Sequence, residues 1–176
     1  MYNKQFSLLL IFLLFNCSSP VNNTEQNITN DIEKPDQRSW NVDISISHLG
    51  KLQANIRADY LEQYSEKSSI FLENNVHIDF YNNDEKLITS VFADKARINE
   101  KINFLQATDN IIVQSDSGVT LFTDTLTWDN EREVIFTEDS VMITTEANDT
   151  LYGIGFQSDI NMEQWKILKP RGVTGK

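Results

Sequence analysis

The chain offers little with which to run a reaction. Cys17 is its only thiol, and His48 and His77 are its only imidazoles. A catalytic zinc centre draws on closely spaced ligands such as those of HExxH, and a thiol nucleophile needs a His beside it. Neither pattern occurs in the sequence. Its 26 acidic residues include carboxylates enough for a glycosidase, which needs two set roughly 5–10 Å apart. No Gly-rich or aromatic surround marks a pocket for such a pair, and no glycine-rich phosphate loop is present. The chain therefore reads as a non-enzyme with no cofactor and no metal. Against those acids stand 15 basic residues, for a formal net charge of −11. The Lys and Arg clusters that a phosphate backbone attracts are missing, which argues against nucleic acid as a partner. A single Cys also excludes an intramolecular disulfide framework and any multi-Cys metal site.

The surroundings of Cys17 suit it to a different chemistry. Met1–Lys4 is short and basic, and Phe6–Phe15 is almost wholly apolar. That run is about half of the ~20 residues that span a bilayer, and it suits the apolar stretch of a signal peptide. Leu14-Phe15-Asn16-Cys17 resembles a bacterial lipobox, with Asn16 where a small residue is usual. On that reading residues 1–16 are a signal peptide, and Cys17 is acylated and anchors the mature chain to a membrane. Several acyl chains hold stably, because each buried CH₂ contributes about 0.8 kcal/mol. Ser18–Ser39 is rich in Asn, Ser, Thr and charge, includes Pro20 and Pro35, and shows no apolar periodicity. Residues 17–39 thus read as a lipidated N-terminus and flexible tether. As a coil, the 22 residues of Ser18–Ser39 span roughly 25 Å.

Residues 40–176 read as one domain. With 40% apolar and 10% aromatic residues the chain can build a core. Val42–Ser47 and Val76–Phe80 alternate apolar and polar residues, and Val141–Thr144 does so more weakly. Polar clusters at Asn82-Asn83-Asp84, Asp116-Ser117-Gly118, Asp129-Asn130-Glu131 and Asn148-Asp149 mark turns. Short strands with regular turn signals point to an all-β fold. Only Tyr60–Lys67 suggests a short helical segment. The chain also repeats itself: Ala58-Asp59, Ala93-Asp94, Thr123-Asp124 and Ser158-Asp159 lie 35, 30 and 35 residues apart. Val76, Ile111 and Val141 each follow the first three of these Asp by 17 residues, and Ile70, Leu105 and Ile135 stand six residues before those. Each unit reads as a strand pair with one apolar face, which only stacked neighbours can cover. The expected structure is elongated and antiparallel, with the repeated Asp serving turns and strand ends.

"VFADKARIN", "GVTLFTDTLTWDNEREVIFTEDSVMI" and "LYGIGFQSD" follow in an order and spacing that resembles the periplasmic lipopolysaccharide-transport repeat. A single such domain behind an N-terminal anchor, over roughly Trp40 to Gly172, is similar to the LptC-type members of the LptA/LptC/OstA-like β-jellyroll family. Many members carry an N-terminal membrane helix where this chain has a lipobox. The resemblance implies a twisted, open antiparallel β-jellyroll whose sheets part over an apolar interior, and it implies no chemistry. Lipid A acyl chains of lipopolysaccharide would lie in that interior. An inner-membrane LptB/LptF/LptG-type ABC transporter would load one end, and an LptA-type periplasmic bridge protein would receive the lipid by edge-strand pairing. The implied location is the periplasmic face of the inner membrane, and Ser18 after Cys17 leaves the outer membrane open.

Groove candidates are the alternating apolar residues Val76, Ile78, Phe80, Ile111, Val113, Val141 and Ile143, with Phe92 and Phe122 at equivalent points of the repeat. By the same alternation His77 faces solvent. The same residue types also build a sealed core, so that alternative stands at this point. With it stands a structural or carbohydrate-binding outer-membrane lipoprotein. Lys166, Lys169, Arg171 and Lys176 form a basic C-terminal cluster that reads as a solvated strand end, with phosphate contact as the other reading.

Overall fold

The computed structural model describes residues 34–147 and 149–172. Cys17, the signal peptide, most of the tether and Lys176 lie outside the described residues. Nine strands follow in sequence: β1 (Gln37–His48), β2 (Lys51–Tyr64), β3 (Ser69–Tyr81), β4 (Leu87–Asn99), β5 (Phe104–Ser115), β6 (Thr120–Asp129), β7 (Val134–Thr144), β8 (Thr150–Asp159) and β9 (Trp165–Arg171). Each is antiparallel to the next, and together they form one sheet in sequence order. β1 starts inside the polar stretch, since Gln37, Arg38 and Ser39 already pair with Gln63, Glu62 and Leu61. The repeat units are the hairpins β2–β3, β4–β5 and β6–β7, with β8–β9 completing the series.

Turn chemistry sets the hairpins. Leu49 and Gly50 take φ of 50° and 80° between β1 and β2, the pair of positive values a tight two-residue hairpin requires. Asn82 closes the β3–β4 loop by accepting the backbone N–H groups of Asp84 and Lys86 on Oδ1. Asp129 does the same for Glu131 and Arg132 between β6 and β7. Gly153 lets β9 lie close on β8, because a Cβ there would run into Ile167 Cγ2 and meet Lys169 O at 2.8 Å.

Two sequence expectations fail here, for one reason. The strands are long, up to 14 residues, and they read as short because a bulge breaks the alternation of several. Within β3, Asn74 and Asn75 take φ of 63° and 50°, so Ile70 and Val76 belong to a single strand. Within β5, Asp109 and Asn110 take 68° and 53° at the equivalent point. The repeated Asp pins each bulge: Asn75 Nδ2 donates to Asp59 at 2.5 Å and Asn110 Nδ2 to Asp94 at 2.6 Å. In the third unit hydroxyls bridge the break instead, Thr123 Oγ1 donating to Ser140 O at 3.1 Å. Tyr60–Lys67 is not helical; β2 runs on to Tyr64. Tyr60, Glu62 and Tyr64 share one face at the strand period of two, and both phenols donate to Glu62.

A single sheet has only itself to bury its apolar face against, and this one rolls. The β8–β9 turn folds onto the neighbouring ends of β4 and β5. There Thr89 Oγ1 donates to Ile160 O and Ser115 Oγ to Asn161 O, each at 2.6 Å, and Met162 is fully buried. Phe80 of β3 meets Trp128 of β6 edge-on, with 4.9 Å between ring centroids.

The bulges make a direct prediction. Asn75→Val places a β-branched residue in the left-handed region and should cost about 2 kcal/mol. Asn75→Gly keeps the backbone, losing only the exposed hydrogen bond to Asp59, and should cost at most about 1 kcal/mol. Urea unfolding midpoints compare the two variants with the parent chain.

Candidate functional site

The inner face carries one continuous apolar ladder. Cross-strand partners link Ile44, Ile56, Ile78, Val91, Val113, Leu121, Ile143 and Leu151 from β1 to β8. Ile56 through Ile143 are buried, while Ile44 at one end is partly buried and Leu151 at the other is 41% exposed. The ladder thus surfaces at both sides of the sheet. Beside it run Leu61, Leu72, Ala96, Ala107 and Leu126, again directly paired. Val42, Ile44 and Ile46 share the inner face of β1 and pack on this core.

The structure brings seven of the sequence candidates together. Ile78, Val113 and Ile143 are rungs of the ladder, Val76, Ile111 and Val141 flank it, and Phe80 packs on Trp128; all seven are buried on the inner face. Phe92 and Phe122 are corrections, because both project from the opposite face. Val91 and Ala93 flank Phe92, and Leu121 and Thr123 flank Phe122, all four buried, so alternation sends the two rings outward. They join an outer row in which Phe92, Ile112, Phe122, Met142 and Tyr152 pair in turn across β4 to β8. Ile56, Val91, Leu121 and Trp128 are interior residues the sequence did not mark. They sit where the repeat spacing points to no strand opening, and only the cross-strand register connects them.

Two hollows open on the interior. One, of about 560 Å³, is walled by Lys51, Gln53, Asn82, Asn130 and Glu133, with His48 and Trp128. The other, of about 220 Å³, is lined by Ile44, Ile46, Ile70, Ile98, Leu105 and again Trp128. The outer face is polar around His77, which is half-buried rather than free in solvent. Its ring stacks on Phe92 at 4.4 Å between centroids, and Arg57 lies 3.0 Å from Nδ1. Asp79 beside it is only 7% exposed, accepting from Arg57 at 2.7 Å and Ser90 at 2.6 Å. His48 sits at the other end of the sheet face, beside the larger hollow, so the two imidazoles share no site. Lys166, Lys169 and Arg171 are exposed along β9.

Electrostatics tighten the turn that carries Trp128. Asp129 is buried, and its carboxyl is held below the ordinary value, first by the hydrogen bond from the Arg132 guanidinium. Burial opposes this, and the backbone N–H groups of Arg132 and Glu131 add to it. Because folding lowers this pKa, the folded chain binds fewer protons here than the unfolded one. The stabilisation is present above the ordinary carboxylate value of about 3.9 and is lost as pH falls through the folded value. Asp129→Asn should therefore lower Tm at pH 7, and its deficit should shrink as pH drops below about 4. Thermal melts in steps from pH 7 to pH 3 read this directly.

The family described as lipopolysaccharide-assembly, LptC-related matches the chain over residues 6–174. No curated protein sequence matches it. Among solved structures the fold is similar to LptH, the LptA-homologous periplasmic component of the lipopolysaccharide transport device of Pseudomonas aeruginosa. That likeness has a TM-score of 0.53 at 10% identity and covers 65% of this chain and 80% of that one.

Proposed function

From the premise that this chain belongs to the LptC-related family of lipopolysaccharide-assembly proteins, and so takes part in lipopolysaccharide transport, we propose that it is the membrane-anchored link that takes lipopolysaccharide from an inner-membrane ABC transporter. It passes the lipid on to an LptA-type bridge protein. The observation that carries this is the inner-face ladder, apolar from Ile44 to Leu151 and reaching the surface at both sides. Acyl chains gain about 0.8 kcal/mol for each CH₂ removed from water, so such a row holds them without a charge contact. That suits a chain whose net charge matches in sign the phosphates it would carry. β1 and β9 each lack a strand partner on their outer side among the described residues. An unpaired edge is normally a hazard, and here it supports docking by strand addition at one edge or the other. The work of moving lipid comes from ATP hydrolysis in the transporter.

The anchor in this reading is the acylated Cys17 on the periplasmic face of the inner membrane. Cys17→Ser should move the protein from the membrane pellet to the soluble periplasmic fraction, followed by immunoblot. Cofractionation of the parent chain with outer-membrane markers would overturn the inner-membrane placement.

Photocrosslinking in cells tests the conduit, with the probe at Ile78, Val113 and Ile143 and a control at exposed Asp124 on the outer face. Lipopolysaccharide adducts are expected at the first three positions and not at the control. Silence at all four in folded, expressed protein would make the interior a sealed core, and the chain a structural lipoprotein.

A further inference from the structure

Trp128 is only 3% exposed, and its indole N–H has no acceptor among the described residues. Gln53 Oε1 is likewise buried without a donor. Both residues line the larger hollow, where Lys51, Asn82, Asn130 and Glu133 stand among Leu49, Leu52, Ile88 and Ile160, and Trp128 alone of the two also lines the smaller, mainly apolar one. A buried donor left unanswered is costly, and native structures rarely keep one without a reason. Packing does not require it. Phe in place of Trp128 would still offer Phe80 an aromatic ring, with no polar group to satisfy. The smaller hollow, framed by Ile44, Ile46, Ile70 and Ile98 with Asn99, Glu100 and Asn103 also in its lining, offers an acyl tail a mainly apolar wall. Trp128, like Asn130, borders both hollows.

We propose that Trp128 Nε1 is the polar anchor of an acyl-lipid site, donating to the acyl carbonyl of a lipid whose tail occupies the apolar hollow. Gln53 Oε1 accepts from a hydroxyl or amide N–H of the same lipid in the larger hollow. The proposal rests on the lipid-transport reading and adds to it where along the interior an acyl group is held, and by which atoms. A carbonyl of this kind is found in lipid A and, as a carboxylate, in a free fatty acid.

The experiment uses the purified full-length chain carrying Cys17→Ser and labelled with ¹⁵N. Its three indole N–H signals come from Trp40, Trp128 and Trp165, and Trp40→Phe and Trp165→Phe assign them by elimination. Lipid A, palmitate and hexadecyl maltoside are titrated in separately, the last having a tail but no acyl carbonyl. The Trp128 indole proton should move downfield with an acyl ligand and stay within a small shift with hexadecyl maltoside. Movement with lipid A marks the transported lipid as the source, and movement with palmitate alone marks a single-chain acid. Trp128→Phe should weaken acyl binding about fivefold, the effect of one net hydrogen bond, and leave hexadecyl maltoside unchanged. If acyl lipids bind while the Trp128 signal stays still and Trp128→Phe binds equally well, the anchor is wrong and the transport reading survives. If the parent chain binds no acyl lipid, both fall together.

Discussion

Everything in this fold follows from a sheet that has one apolar face and no second layer to cover it. Each strand pairs only with its neighbours in sequence, and among the described residues no helix or separate sheet lies over the inner row from Ile44 to Leu151. The sheet must bury that row against itself, and a flat sheet of strands this long would not. The bulges at Asn74-Asn75 and Asp109-Asn110 supply the bend. Asp59 and Asp94 hold the amides that make those bends permanent. The β8–β9 turn then latches onto β4 and β5 through Thr89 and Ser115, and buried Met162 fills the contact.

The same constraint leaves the properties that suit a carrier. Rolling a sheet without closing it preserves two edges, and the apolar row, buried from Ile56 to Ile143, surfaces at its two ends, Ile44 and Leu151. The two edges are not alike. β9 carries Lys166, Lys169, Pro170 and Arg171, residues that blunt an edge against indiscriminate pairing. β1 has no proline, and its charges are few. The interior is not uniformly greasy either. Trp128 and Gln53 hold unpaired polar atoms beside the larger hollow, whose lining mixes polar and apolar residues.

Legibility in the sequence divides along the range of the interactions involved. Period-two alternation in Val42–Ser47 and Val76–Phe80 is a property of neighbours, and both stretches are strands with the inner face they imply. The repeated Asp, spaced by whole hairpins, showed that units stack before any pairing was known. Its role at the first two hairpins is structural but not at the turns and strand ends expected: Asp59 and Asp94 lie inside β2 and β4 and hold the bulge of the next strand. The bulges were not legible, because Asn in the left-handed region looks the same in sequence as Asn in a turn. Strands were therefore read as shorter than they are, and the segment after Tyr60 as helical. Repeat equivalence makes Phe92 and Phe122 groove candidates but says nothing about which way a side chain points, and both rings face outward.

By itself, then, the sequence determined the all-β class, the hairpin unit, the place of four of the eight turns between the described strands and the local signals around Cys17. Each of these depends on residue types within a few positions of one another. Only the tertiary structure decided which face is inside, which residues complete the ladder, and that Trp128 stands between two hollows with an unanswered N–H. Those facts depend on register, and register is set by how far each bulge displaces one strand along the next. A shift of one residue would exchange the two faces of a strand, and it would send Ile78 outward in place of His77.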